Sequence, residues 1–516
     1  MKTESRCLRM IKKKIVRVLT VAGLLACLAS GCASGGSSVG KEAAADEIKK
    51  GGFTVAASCH DPQILREGDT YYMFGSHMVG AKCQDLRKWN YFANGVDAAN
   101  TLFDNLLTEP YAAFDFVGKN TDNGYSVWAS NVIYNETMKK YVMYFCTTSS
   151  YVKSTLCFAT ADNIEGPYTY VDTILYSGYG KSNIGETNLY DVLGKNADIS
   201  RYLEYGGYNN KEWPNCIDPA IFTDADGRMW MNYGSWSGGI FLLEIDPTTG
   251  YPIYPVDDKD ADPYYGYRLI GGGHHSAEGP YIQYDAENGY YYLFVSYGDL
   301  QSDGGYQIRQ FRSEKPTGPY VDVAGNTLED QDDHFNYGLK MMGNYTFPSL
   351  NYTYMAPGGQ STFQDDDGKY YITYHQRFDD GTEYHEPRVH QMYTNEDGWF
   401  VAAPFATMGE TLSEKGYKKS DVSGTFYVVN HGTDISSKIR EAEAYTFADG
   451  KVTGGEKSGT YEVKEGTDYI TITLDGVVYK GVLMEMTDEA ENRVFCFSAA
   501  GDNEETLWGV QYIQKE

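Results

Sequence analysis

Three acidic residues stand in similar settings: Asp61 before Pro62, Asp218 before Pro219, and Glu278 before Gly279-Pro280, each at the head of an apolar, strand-like run. A single Asp-Pro is an ordinary turn signal. Three acids at the head of separate repeats carry more weight, because gathered carboxylates repel one another and lose hydration unless they bind a cation or perform chemistry. The chemistry that uses such a set is hydrolysis of a glycosidic bond. One carboxyl must stay protonated to donate to the leaving oxygen, and another must be ionised to activate water. A third beside the donor can raise its proton affinity and orient it. Aromatic rings near these acids offer flat faces for sugar rings, and Trp128, Trp236 and Tyr297 are the candidates. Asn131, Asn215 and Ser235 add hydrogen-bonding groups and complete the expected substrate contacts.

The elements that must position these residues form a repeat. An apolar strand, an acidic or glycine turn and an aromatic-rich strand recur from His60, Trp128, Cys216, Ala277 and Gly359, and two of the units later reach a Gly-Pro-Tyr phrase, at Gly166 and Gly318. Five such units predict an all-β, five-bladed β-propeller over residues 53–410. Radial stacking buries both faces of small sheets that could not be stable alone. The first strand of each blade then lines the central channel and brings the acids together. Past Phe405 the repeat stops, and residues 421–516 read as a second all-β unit of about six strands, either a closed barrel or a small sandwich. The segment from Asp172 to Pro214, rich in Tyr, Gly and Asn, reads as an insertion at the rim that shapes or blocks the cleft.

The 516 residues carry 43 Lys and Arg against 71 Asp and Glu, a net charge of -28, which opposes nucleic-acid binding. Residues 1–31 read as a secretory lipoprotein signal: Lys12 to Lys14 precede an apolar run from Ile15 to Leu28, followed by Ala29-Ser30-Gly31-Cys32. Cys32 is the expected lipidated residue, with Cys27 as a competing position, so the only membrane contact expected is an amino-terminal lipid anchor on an exported monomer. Residues 32–52 are small and polar, and read as a flexible tether. Of the cysteines beyond it, Cys59, Cys83, Cys146, Cys157, Cys216 and Cys496, no pair has a CxxC spacing, and mostly buried thiols are expected.

The phrases HDP at His60, NCIDPAIF around Asp218, YGSWSGGI after it, AEGPY at Glu278 and YHQRF containing His375 resemble family 43 of the glycoside hydrolases, in particular its endo-1,5-α-L-arabinanase branch. The resemblance spans about residues 54–410 and implies an inverting mechanism on arabinan. In it Asp61 corresponds to the general base, Glu278 to the general acid, and Asp218 to the residue that tunes and positions that acid. His375 corresponds to a histidine on the propeller axis that helps hold a calcium ion through coordinated waters. Two phrases depart from the family pattern: Trp128-Ala129-Ser130-Asn131 where relatives have Trp-Ala-Pro-Asp, and Gly359-Gln360 where relatives often have a histidine. The carboxy-terminal unit resembles the small β-barrel domain that follows the propeller in some bacterial arabinanases. Two alternatives stand beside the endo-acting hydrolase: an exo-acting α-L-arabinofuranosidase or β-xylosidase of the same family, and a cell-surface carbohydrate-binding lipoprotein without activity.

Overall fold

Five sheets follow one another along the chain, four of them four-stranded and antiparallel and the fifth six-stranded, and in each four strands run outward from an axial strand in sequence order. Their axial strands are Gln63–Glu67, Ser126–Asn135, Ala220–Thr223, Ala277–Asp285 and Tyr354–Gln364. This is the expected five-bladed propeller. The computed structural model describes residues 39–329 and 334–515, so the signal segment 1–31 and Cys32 lie outside the described residues.

Burial explains the long apolar run of the fourth blade's second strand. Tyr290–Tyr297, YYYLFVSY, lies between neighbouring blades and is buried on both faces beyond its first residue. Strands covered on both sides read as unbroken hydrophobic runs. Each fully buried side chain there, such as Leu293 or Phe294, contributes about 1.5–3 kcal/mol relative to exposure.

A polar side chain fastens each blade to the next near the axis. Gln63 bonds both backbone groups of Val132. Asn131 accepts from the Ile221 amide at 3.1 Å, and Asn232 donates to the Pro280 carbonyl at 2.7 Å. Gln360 donates to the Gly279 carbonyl at 2.7 Å, and Ser361 donates to the Pro62 carbonyl at 2.8 Å. The last contact closes the ring between fifth and first blades, where no strand is exchanged; Arg66 and Tyr71 add bonds to Asp365. Most of these polar groups are paired in a buried setting, where an unpaired amide costs about 1–3 kcal/mol; Asn232 Oδ1 has no partner among the described residues.

Beyond the propeller the chain forms a closed eight-stranded barrel, from Gly424–Asn430 to Thr506–Ile513, whose first and last strands pair. The sequence left barrel and sandwich open and suggested about six strands; the two further strands are short or lack apolar character, as in Lys451–Thr453. Tyr469–Leu474 alternates between half-buried and buried positions, the signature of one face turned inward. Phe426, Phe447, Phe495 and Phe497 fill the interior. Outside, Val429, Met484 and Trp508 share a hydrophobic cluster with Tyr345, Phe347 and Phe400 of the propeller. The chain between the first two barrel strands adds Arg440–Glu441 in parallel to Tyr345–Thr346 of the fifth blade.

The expected tether at 32–52 is corrected from Val39 onward. Val39 is buried in the barrel cluster, Ala43 donates to the Tyr512 carbonyl at 2.8 Å, and Gly51 donates to the Ser349 carbonyl at 3.0 Å. A polar composition does not prevent docking when backbone groups find partners. The segment 177–214 carries its own aromatic packing around Tyr179, Tyr202 and Trp213. It supplies none of the residues lining the axial cavity described next.

Candidate functional site

At one end of the axis a cavity of about 400 Å³ is lined by Asp61, Asp218 and Glu278, together with Trp128, Asn131, Tyr306 and Arg377. Each blade contributes one left-handed residue here: Asp61 (φ 53°), Ala129 (φ 48°), Asp218 (φ 57°), Gly279 (φ 56°) and Gly359 (φ 57°). Asp tolerates this region better than most residues. The recurrence corrects one detail of the sequence reading. Asp61 and Asp218 occupy equivalent positions, whereas Glu278 precedes its blade's equivalent residue, Gly279, by one. Gly359 has to be glycine, because a Cβ there would lie 2.3 Å from Asp61 Oδ1 and 2.8 Å from His375 Nδ1.

Asp61 is surrounded by groups that favour its charge. Its Oδ2 accepts from Ser76 Oγ at 2.5 Å and lies 2.9 Å from His60 Nδ1, while Ser76 Oγ in turn accepts from the Ala129 amide at 2.8 Å. Burial raises the proton affinity of Asp61, but His60, the Ser76 bond and His77 together outweigh it and hold the carboxyl below its ordinary range.

Glu278 meets three donors, Tyr306 Oη on Oε1 at 2.7 Å, and Trp236 Nε1 at 2.8 Å and Ser235 Oγ at 3.1 Å on Oε2. Burial nevertheless raises its proton affinity, these bonds lower it in part, and the charge of Asp61 raises it further. Asp218 is raised by burial and by repulsion from Glu278 and Asp61, and its Oδ2 accepts the Gly279 amide at 3.1 Å. The surroundings therefore favour the ionised form at Asp61 and the protonated form at Glu278 and Asp218 across one cavity, the asymmetry that acid–base hydrolysis of an acetal uses.

Of the expected sugar contacts, Trp128 is half-buried on the cavity wall and Asn131 lines it, although the Asn131 carbonyl oxygen is already taken by Ile221. Ser235 and Trp236 donate to Glu278 and are not among the residues lining the cavity. Asn215 is buried outside that lining, with Oδ1 3.5 Å from Ser177 Oγ. Tyr297 packs under the Arg309 guanidinium, fully buried. Sequence reasoning passed over His60, Ser76, Tyr306 and Arg377. His60 and Ser76 lie within the first repeat; Tyr306 is one tyrosine among 47 and gave no signal. The six described cysteines are buried and unpaired, as expected.

His375 is fully buried and neutral, held well below the ordinary histidine range by burial and by the neighbouring His60, His385 and Arg377. Its ring stacks on His60 at 3.9 Å, and Nδ1 lies 3.5 Å from the Asp61 amide. Nε2 has no hydrogen-bond partner among the described residues. His60, Asp61 and His375 bring ligand atoms within 4.8 Å of one another. Two imidazoles and one carboxylate are a poor inner shell for calcium, which prefers oxygen, but the orphaned Nε2 suits a hydrogen bond to a water of a hydrated ion.

Comparison with known proteins agrees with this geometry. An extracellular endo-α-(1→5)-L-arabinanase of Bacillus subtilis is 38% identical over 468 residues, covering 88% of this chain and 92% of the relative. The chain belongs to glycosyl hydrolase family 43. The family model matches residues 192–400, and a model for a C-terminal lipocalin-like domain matches residues 404–509. A second relative, the extracellular endo-α-(1→5)-L-arabinanase of Thermotoga petrophila, is 36% identical over 88% of this chain and 94% of its own. The crystal structure of a Thermotoga petrophila endo-1,5-α-L-arabinanase superposes with a TM-score of 0.77 at 35% identity, over 90% of this chain and all of that one. A family 43 protein of Bacillus licheniformis gives 0.78 at 37% identity, again over 90% of this chain and all of the other.

Proposed function

We propose that this family 43 member hydrolyses internal α-1,5-L-arabinofuranosyl links of arabinan with inversion. The observation that carries the reading is one cavity that gathers three carboxyls, with Ser76 and His60 against Asp61 on one side and Asp218 beside Glu278 on the other. Asp61 acts as general base: its ionised carboxylate takes a proton from water as the oxygen attacks the anomeric carbon. Glu278 acts as general acid and gives its proton to the departing glycosidic oxygen. Asp218 raises the affinity of Glu278 for that proton by charge and fixes its backbone through the Gly279 amide. Trp128 offers a face to a sugar ring and the Asn131 amide a donor to a hydroxyl. The names of the two relatives, both extracellular endo-arabinanases, support the substrate and export. The amino-terminal signal supports a lipid anchor on Cys32, and the proposed enzyme is a monomer.

The His375 Nε2 would hold a calcium ion beside Asp61 through water. Bound there, the ion supplies positive charge near the base; it does not generate the nucleophile. Calcium should raise the melting temperature of chelator-treated protein, and His375→Ala should abolish that rise. Equal melting with and without calcium would remove the ion from the account.

The test of function is the product profile from linear debranched arabinan. Early mixed oligosaccharides are expected; arabinose alone would establish exo action, and no release from arabinan, xylan or aryl glycosides would favour a binding protein.

A further inference from the structure

Tyr306, which donates to Glu278, is held in place by the barrel domain. Its ring is buried, lies parallel to His375 at 5.6 Å, and sits in a small cluster with Met355 and Ala356 against which Ile439 packs. Ile439 belongs to the chain between barrel strands Gly424–Asn430 and Glu443–Ala448. The same excursion presses on the residue before Tyr306: a Cβ on Gly305 would lie 2.7 Å from the Ser436 amide nitrogen. Its carbonyls are gripped from the propeller. Gln307 Nε2 donates to both Gly305 and Asp434 carbonyls at 3.0 Å, Lys340 Nζ donates to Asp434 at 2.8 Å, and Arg309 donates to Thr433. The Asp434 carboxylate shapes the excursion by accepting from Ser436 and Arg440.

We infer that residues 431–442 of the barrel domain are a positioning device for the general acid, acting through Gly305 and Tyr306. The inference rests on the assignment of Glu278 above. Tyr306 is a positioning residue in this scheme, and the barrel excursion sets where its hydroxyl points.

The test is the titration of the Glu278 carboxyl by isotope-edited infrared or NMR, with Glu278→Gln assigning the signal. It is run on the whole protein as wild type, Tyr306→Phe, Asp434→Ala and the double variant, alongside pH profiles on arabinan. Loss of the Tyr306 donor should move the Glu278 titration and the alkaline limb to higher pH and lower kcat on the order of tenfold, with KM within about twofold. Asp434→Ala should move both in the same direction with a loss of about threefold, and the double variant should match Tyr306→Phe alone. Removing a negative charge would by itself move Glu278 the opposite way, so the direction separates positioning from electrostatics. An unmoved titration in Asp434→Ala, or a kcat loss that adds in full to that of Tyr306→Phe, overturns the inference. If Asp434→Ala does not fold, Ile439→Val is read by the same criteria. A wild type that leaves arabinan intact contradicts the proposed function, and the titration still decides the role of the barrel.

Discussion

The two walls of the cavity bury carboxyls to a similar depth and drive them in opposite directions. On one wall, Asp61 has Ser76, His60 and His77 around it, and their combined pull exceeds the cost of burial. On the other, Glu278 has more hydrogen-bond donors, three against two, yet burial and the charge of Asp61 win, and Asp218 stands beside it. Depth alone therefore does not assign the roles. What differs is the neighbours: imidazoles and a hydroxyl donor on the Asp61 side, a second carboxyl on the Glu278 side.

The comparison breaks most severely if either carboxyl is lost. Asp61→Asn and Glu278→Gln should each lower kcat on arabinan by about 10²–10⁴, read by reducing-sugar release. Asp218→Asn should come next, a loss of about tenfold or more. Removing its repulsion lets Glu278 release its proton more readily, so the alkaline limb of kcat/KM should move to lower pH. Ser76→Ala acts on the opposite wall. Without that donor the proton affinity of Asp61 rises, and the acid limb should move to higher pH with a severalfold loss near its midpoint. Trp236→Phe should have the smallest effect, a slight upward move of the alkaline limb, because two donors to Glu278 remain. A move of the acid limb in Trp236→Phe, or of the alkaline limb in Ser76→Ala, would show that the walls are not independent.

Much of this was legible before any coordinates. The five hairpin units carry their own turns, so blade number and the three acids followed from local pattern. The one-residue offset of Glu278 was not legible, because it depends on which backbone position takes the left-handed conformation. Nor were the roles of Ser235 and Trp236, which reach Glu278 across the gap between blades. Asn131 and Gln360 departed from the family pattern and left the local network open; the structure shows both fastening blades together. Docking of Val39 to Gly51 was hidden because its bonds are made by the backbone, which composition does not reveal.

The division of labour between the two walls is tested most directly by leaving-group rescue. The rates of Glu278→Gln and Asp61→Asn are compared on arabinan and on a dinitrophenyl arabino-oligoside, whose leaving group needs no proton. The account predicts that Glu278→Gln recovers most of the wild-type rate on the activated substrate while Asp61→Asn remains as impaired as on arabinan. Recovery by Asp61→Asn, or equal impairment of both on the activated substrate, would contradict it.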